Sequence, residues 1–277
     1  MLHVICAFKN EAQPLIEHYS LKHQGNSRLF NIYMNNDRSI SLTISGLGKL
    51  AASAAVMYTY SSLQSETNDC WLNIGIAGHR EKSIGELFLC DRVEDAGSGQ
   101  VWYPQILVDN NLPGAPLVTL DQPSGKYSQS MFDMEASGIF HAASRVSTLE
   151  FIHSLKIISD NEQSPVEKIR KSAVSPLVAD NIDAISGFVA SLMQLSEQLP
   201  LKPDTFNEKK KFLASTHFTV QQETQLAALL HRWHVLFPGN SPSGILGSNL
   251  DASELLSELR RRMDSAPFYL DKAPRDD

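Results

Sequence analysis

Cysteine is scarce, with three residues in 277, Cys6, Cys70 and Cys90, each inside an apolar run that reads as a strand and without metal-ligand spacing between them. That excludes a disulfide framework and a cysteine-held metal, and it fits reduced, buried thiols in the cytoplasm. No run of about eighteen apolar residues is present, so no membrane-spanning helix is expected. Basic residues are outnumbered: 24 lysines and arginines against 31 acids give a formal net charge of -7, which leaves no electrostatic footprint for nucleic acid. The opening apolar hexamer has no basic region before it and no small-residue cleavage site after it, so a signal peptide is not expected. No internal repeat occurs.

What is present is a hydrophobic fraction of 42%, enough to give one large α/β domain, or a domain with an appendage, a sizeable core. Short apolar segments, among them HVICAF, SLTISGLG, CWLNIGIAG, GELFLCDRVED, APLVTL and LEFIHSLKIISD, alternate with helical patterns such as KLAASAAVMYTYSSL. That alternation predicts an α/β layer structure about a largely parallel or mixed sheet. From Pro176 to Leu199 apolar residues recur at helical spacing, predicting the last helix of a domain over 1-199. The prolines and basic run of LPLKPDTFNEKKK break the rhythm near Pro200. Residues 200-277 then read as a helical extension, with Thr219 placed to cap one helix and Asp251 or Ser253 a second. The second helix ends in Arg260, Arg261 and Arg262, a solvated terminus that suits the helix dipole. His231 and His234, three apart and without acidic company, read as partly exposed surface residues rather than metal ligands.

Three acids stand out by position. Glu11 follows the first strand and Asp160 ends HSLKIISD, and side chains just beyond the carboxyl ends of strands face the crevice where α/β sheets bind ligands. Glu11 fits an acid at a helix N-terminus equally well, and Asp160 a turn or cap. Glu135, in SQSMFDMEASGIFHAAS, shares an apolar face with Met131, Phe132 and Ile139 if the stretch is helical. An ionised group there has to be paired or hydrogen-bonded. Asp133, two residues earlier, is expected to face solvent. Ser45 opens SGLGKLAASAAV, in which Gly46, Gly48 and Ala51 fit G-x-G-x-x-A at a strand-to-helix turn. The next strand, CWLNIGIAG, ends in glycine where a dinucleotide fold needs an acid, so a dinucleotide-dependent oxidoreductase ranks last. The glycines still allow a ribose or an anion close to the backbone. NIGIAG runs into Ala77 and Gly78, small residues that leave room for a ligand or another backbone. Trp102 and Tyr103 fit either a surface aromatic pair or a platform for a base.

In this order the segments resemble the nucleoside phosphorylase and nucleosidase superfamily, most closely its 5'-methylthioadenosine/S-adenosylhomocysteine nucleosidase branch, over roughly Met1 to Leu199. AFKNEAQPL resembles the opening loop with its water-activating glutamate. SGLGKLAASAA is similar to the S-G-x-G-K-x-x-A turn, NIGIAG to the N-x-G-x-A-G strand end, FDMEASGIFHAA to the M-E-A helix start, and IISDN to the S-D strand end. The resemblance implies a three-layer α/β/α fold with a central mixed sheet and cleavage of the N-glycosidic bond of a purine-type nucleoside. It also implies a small-molecule nucleoside as the partner, a homo-oligomer, no metal and no cofactor, with phosphate a co-substrate only in a phosphorylase. Residue by residue, Asp160 would be the general acid at the purine N7, Glu11 would orient and deprotonate water, and Glu135 would accept the 2'- and 3'-hydroxyls. Met134 would pack on the sugar, and Ser159, Ser45, Gly46, Gly48, Ala77 and Gly78 would complete the binding surface.

The chemistry suits these residue types. Breaking the bond builds oxocarbenium-like charge on the ribose and negative charge on the leaving base, so a carboxylate near the sugar and an acid at the base both help. A carboxylate beside the nucleophile repels phosphate and suits water, so hydrolysis is expected over phosphorolysis, with Arg80 or Arg92 the residues that would reverse the choice. Two departures from the family pattern bear on the base. His79 replaces the third small residue after N-x-G-x-A-G, and the segment between PLVTLDQ and FDMEAS, which helps form the base pocket in nucleosidases, is much shorter. The alternatives are a phosphorylase and a catalytically weak nucleoside-binding or regulatory protein whose extension, Thr219 to Met263, serves as a surface for a protein partner.

Overall fold

A computed structural model of the chain describes residues 1-25, 29-65, 68-123, 127-165, 171-198, 205-237, 240-246 and 250-265. The chain forms two compact units, Met1–Leu201 and Lys202–Asp277.

In the first unit β1 (Leu2–Cys6) leads into α1 (Lys9–His18), followed by β2 (Lys22–His23), β3 (Asn31–Met34), β4 (Ile40–Ile44) and α2 (Lys49–Leu63). Next come β5 (Cys70–Gly78), β6 (Leu87–Asp95), β7 (Val101–Trp102), β8 (Gly114–Thr119) and β9 (Met131–Asp133). The unit is completed by α3 (Ala136–Ala143), β10 (Ile152–Asp160), α4 (Val174–Asp180) and α5 (Ile182–Gln198). The strands form one mixed sheet in the order β10-β6-β8-β9-β5-β1-β4-β3-β2, with β7 on β6. Because β10 also runs parallel to β5, strands β5, β10, β6, β8 and β9 close on themselves, and β1, β4, β3 and β2 extend the sheet beyond β5.

Side-chain alternation along the strands builds two cores. Leu2, Val4, Cys6, Leu72 and Ile74 pack under α1, α4 and α5, while Ile5, Trp71 and Ala77 pack under α2 and α3 on the other face. This is the expected mixed α/β layering. The three thiols are buried, and burial pushes Cys70 and Cys90 up to about 12, so neither is a thiolate near neutral pH.

Local chemistry explains where elements bend or stop. Pro14 inside α1 has no N–H for the carbonyl one turn earlier, and Ser175 of α4 donates to that carbonyl, on Asn10, at 2.7 Å. The single helix expected over 176-199 divides at Asn181, whose amide donates to the carbonyls of Leu177 and Gly85 at 2.9 and 3.0 Å. A side chain that bonds backbone in this way competes with the helix. The stretch around Glu135 also differs from the expected helix. Met131–Asp133 is a strand, and Glu135 is the N-cap of α3.

The second unit contains α6 (Thr205–Ser215), α7 (Val220–Leu236) and α8 (Ala252–Asp264) around a core that includes Phe212, Leu226, Leu230, Trp233, Leu255 and Leu259. Thr219 and Asp251 cap α7 and α8 through reciprocal bonds with Gln222 and Glu254, each a capping box. Arg261 and Arg262 pair with Glu258 at the solvated end of α8. His231 is exposed and His234 partly exposed, as expected, but His234 does have acidic company: it pairs with Glu208 at 2.6 Å, a partner too distant in sequence for local spacing to reveal.

Candidate active site

The chain turns from β1 into α1 around the Glu11 carboxylate. The N–H groups of Ala7 and Phe8 both donate to Oε2 at 2.9 Å, and Ile76 N–H donates to Oε1 at 3.1 Å. A carboxylate offers about four acceptor sites, so one remains. Gly75 on β5 makes the approach possible: a Cβ there would lie 2.8 Å from Glu11 Oε1 and 3.4 Å from Lys156 Nζ. Burial raises the proton affinity of Glu11 above the ordinary glutamate range, against the opposing pull of Lys156 and the three N–H donors.

Lys156, in the middle of β10, is the buried cation of the site. Its ammonium donates to Asp133 Oδ2 at 2.8 Å, and each side chain is only 1% exposed. Burial alone would lower its pKa, but the carboxylates of Asp133, Glu135 and Glu11 overcome that and hold it above the usual lysine range. Asp133 therefore does not face solvent as expected. Its Oδ1 accepts from Thr119 Oγ1 at 2.7 Å, and its Oδ2 also accepts from Ala136 N–H at 2.8 Å. A strand residue that pairs with a buried lysine has no reason to turn outward.

Glu135 Oε1 accepts from Gly48 N–H at 2.8 Å and Oε2 from Met134 N–H at 3.3 Å. Gly48 has φ +94°, a conformation that suits glycine and aims this N–H across to α3. Burial first, then repulsion from Asp133, pushes Glu135 up to about 7 against the attraction of Lys156. At the end of β10, Asp160 Oδ1 accepts from Ser159 Oγ at 2.5 Å and Oδ2 from Tyr127 OH at 2.9 Å.

Glu11, Ala77, Gly78, Met134, Glu135, Ser159 and Asp160 line one cleft, together with Phe8, Leu47, Ile76, Leu120, Pro123, Phe132 and Asp133. Of the residues singled out in the sequence, Ser45, Gly46 and Gly48 stand outside this lining. Ser45 Oγ donates to the carbonyls of Gly46 and Cys6, and Gly48 reaches the cleft through its bond to Glu135. Trp102 is buried against Phe140 and His141, Tyr103 is exposed, and neither lines the cleft. Arg80 and Arg92 are engaged elsewhere, with Glu81 and Glu162 and with Glu94. Among the described residues no group of three or more metal-ligating side chains could hold an ion.

Sequence reasoning missed Lys156, Asp133, Phe132 and Tyr127. For Lys156 one signal was available, a lysine at the centre of a strand whose neighbours all read as buried.

No family model matches the chain, and no curated protein matches it in sequence. Solved structures do match in fold. A 5'-methylthioadenosine/S-adenosylhomocysteine nucleosidase from S. pneumoniae superposes with a TM-score of 0.55 at 16% identity, over 69% of this chain and 99% of that one. The 5'-methylthioadenosine nucleosidase of Arabidopsis thaliana gives 0.56 at 16% identity, over 72% and 96%. Futalosine hydrolase of Helicobacter pylori gives 0.51 at 14% identity, over 68% and 97%. The chain thus shares the α/β fold of these nucleosidases, at identities that speak for fold alone.

Proposed function

We propose that the protein cleaves the N-glycosidic bond of a purine-type nucleoside with water as the nucleophile. The observation that carries this reading is the meeting of Glu11, Glu135 and Asp160 on one cleft. Each carboxylate is held by donors that leave part of its acceptor capacity open. Glu11, its proton affinity raised by burial, orients and deprotonates a water at its remaining acceptor site. Glu135 receives the ribose hydroxyls and lends negative charge to the oxocarbenium-like sugar, with Met134 against the ring. Asp160 delivers a proton to the departing base, and Phe8, Leu120, Phe132 and the backbone at Ala77 and Gly78 supply apolar and flat surface around it. Release of a neutral base and a free sugar completes the turnover.

Water is favoured over phosphate by charge. Among the described residues lining the cleft there are four carboxylates and no arginine or lysine. A phosphate dianion would meet this set of carboxylates at high cost. A cytoplasmic, homo-oligomeric enzyme without a cofactor remains the working expectation.

Purified protein incubated with a panel of nucleosides, with and without inorganic phosphate, decides the reaction. Base released equally in both arms supports hydrolysis. Release that requires phosphate, or no release from any nucleoside, overturns it. Asp160→Asn should lower turnover by about 10²–10⁴-fold with the melting curve retained, because the change removes a proton donor and keeps the shape.

A further inference from the structure

Hydroxyl groups grip both oxygens of Asp160, and they come from different places. Ser159 is its neighbour on β10 and donates to Oδ1 at 2.5 Å. Tyr127 donates to Oδ2 at 2.9 Å from 33 residues away, on the short stretch between β8 and β9.

Two hydrogen bonds hold Ser128 and Gln129 against the residues that follow β5, and a ring contact holds Tyr127 on β9. Arg80 N–H donates to the Ser128 carbonyl at 3.1 Å. His79 Nδ1 accepts from the N–H groups of Glu81 and Lys82 at 3.0 and 3.1 Å, which leaves Nε2 to carry the hydrogen and donate to the Gln129 carbonyl at 2.9 Å. The Tyr127 ring packs on Phe132 with centroids 5.5 Å apart. Phe132 in turn lies over Gly78, where a Cβ would sit 2.4 Å from its Cζ and 2.7 Å from Asp160 Oδ2. The phenol is thus placed by ring packing and by anchored carbonyls on the two residues that follow it.

The geometry points to Tyr127 as the positioning residue of Asp160, fixing the plane of its carboxyl at the cleft. This role rests on the nucleosidase reading of Asp160. A hydroxyl bonds the charged form of a carboxyl more strongly than the neutral form, so taking the phenol hydroxyl away is a change that a proton titration can read. With each oxygen tied by one hydroxyl the carboxyl is held in one plane, and each oxygen keeps a lone pair, one of which would carry the proton bound for the base. His79 holds the carbonyl two residues after the phenol.

Tyr127→Phe keeps the ring on Phe132 and removes only the hydroxyl. In protein labelled with ¹³C at the aspartate carboxyl carbons, the Asp160 signal is identified by its loss in Asp160→Asn. Its titration midpoint should rise in Tyr127→Phe by about half to one pH unit, the worth of one hydrogen bond. The alkaline limb of kcat/KM, measured with the nucleoside cleaved fastest, should move up by the same amount. Incorporating 3-fluorotyrosine at position 127 preserves the shape, strengthens the O–H donor and should move both midpoints down. A midpoint that stays put or moves the other way in either protein overturns the assignment, whereas a loss of stability alone would leave both midpoints in place. The carboxyl titration needs no turnover, so if the wild-type chain cleaves no nucleoside the nucleosidase reading falls while the Tyr127–Asp160 coupling is still decided.

Discussion

Asp95 and Glu135 are both buried carboxylates, and consecutive residues at the start of α2 serve them: Lys49 donates its ammonium to Asp95 at 2.8 Å, and Gly48 its N–H to Glu135 at 2.8 Å. Their surroundings differ. Asp95 also accepts from Ser137 Oγ and Ser98 N–H, each at 2.7 Å. Burial would raise its proton affinity, but Lys49 and these donors outweigh it and hold Asp95 well below the usual aspartate range. Among the described residues Glu135 has one further donor, at 3.3 Å, and a like charge nearby in Asp133, and it rises to about 7. A carboxylate whose needs are met inside the protein is a strut between elements. One left short of partners and facing a cleft is poised for a ligand.

The largest effect should come from the cation that the acids of the cleft share. Lys156→Met removes the buried counter-charge of Asp133, Glu135 and Glu11 at once. Breaking a buried pair from one side costs about 3–5 kcal/mol. Urea unfolding should show a loss of that size, and one below about 1 kcal/mol would mean that these carboxylates do not depend on Lys156.

The two acids of the comparison should then separate by what they lose. Asp95→Asn should cost about 1–3 kcal/mol in urea unfolding, since it weakens charge-assisted bonds, and should leave kcat/KM within a few-fold of the wild type. Glu135→Gln should do the reverse, lowering kcat/KM by about ten- to hundredfold, the worth of a charged bond to a sugar hydroxyl, with little change in melting. If Asp95→Asn is instead the variant that loses activity, the distinction between strut and ligand acid is wrong.

The sequence made some of these features legible and hid others, and the division follows range. Short apolar runs exposed β1, β4, β5, β6, β8 and β10 in their order along the chain, because each run is complete within itself, and Thr219 and Asp251 were readable as caps because a cap is complete within four residues. Glu11, Glu135 and Asp160 stood out by place, at the ends of strands or in apolar company. The strand Met131–Asp133 was hidden because three residues are too few to show a period of two, and Met131 and Phe132 fit a helix face equally well. Asp133, Lys156 and Tyr127 were hidden for a different reason. Their partners lie on other elements, and nothing in a neighbouring residue records a charge met across the sheet.

The smallest expected effect is a slope with pH, and its sign differs between the two acids. Glu135 titrates near 7 in the folded chain against an ordinary value of 4.5. Between those values the folded state keeps a proton that the unfolded chain has released, so this group's contribution to stability is full below about 4.5 and is lost as pH rises through 7. Asp95 is depressed instead, so its contribution is present above the ordinary aspartate range and is lost only in acid. Urea unfolding at pH 6 and pH 8 should therefore show wild type losing ground to Glu135→Gln on going to pH 8, by on the order of 1 kcal/mol. The gap between wild type and Asp95→Asn should stay level over the same interval. A level gap for Glu135→Gln as well would mean that Glu135 carries no proton in the folded chain near neutrality and that its needs are met as fully as those of Asp95.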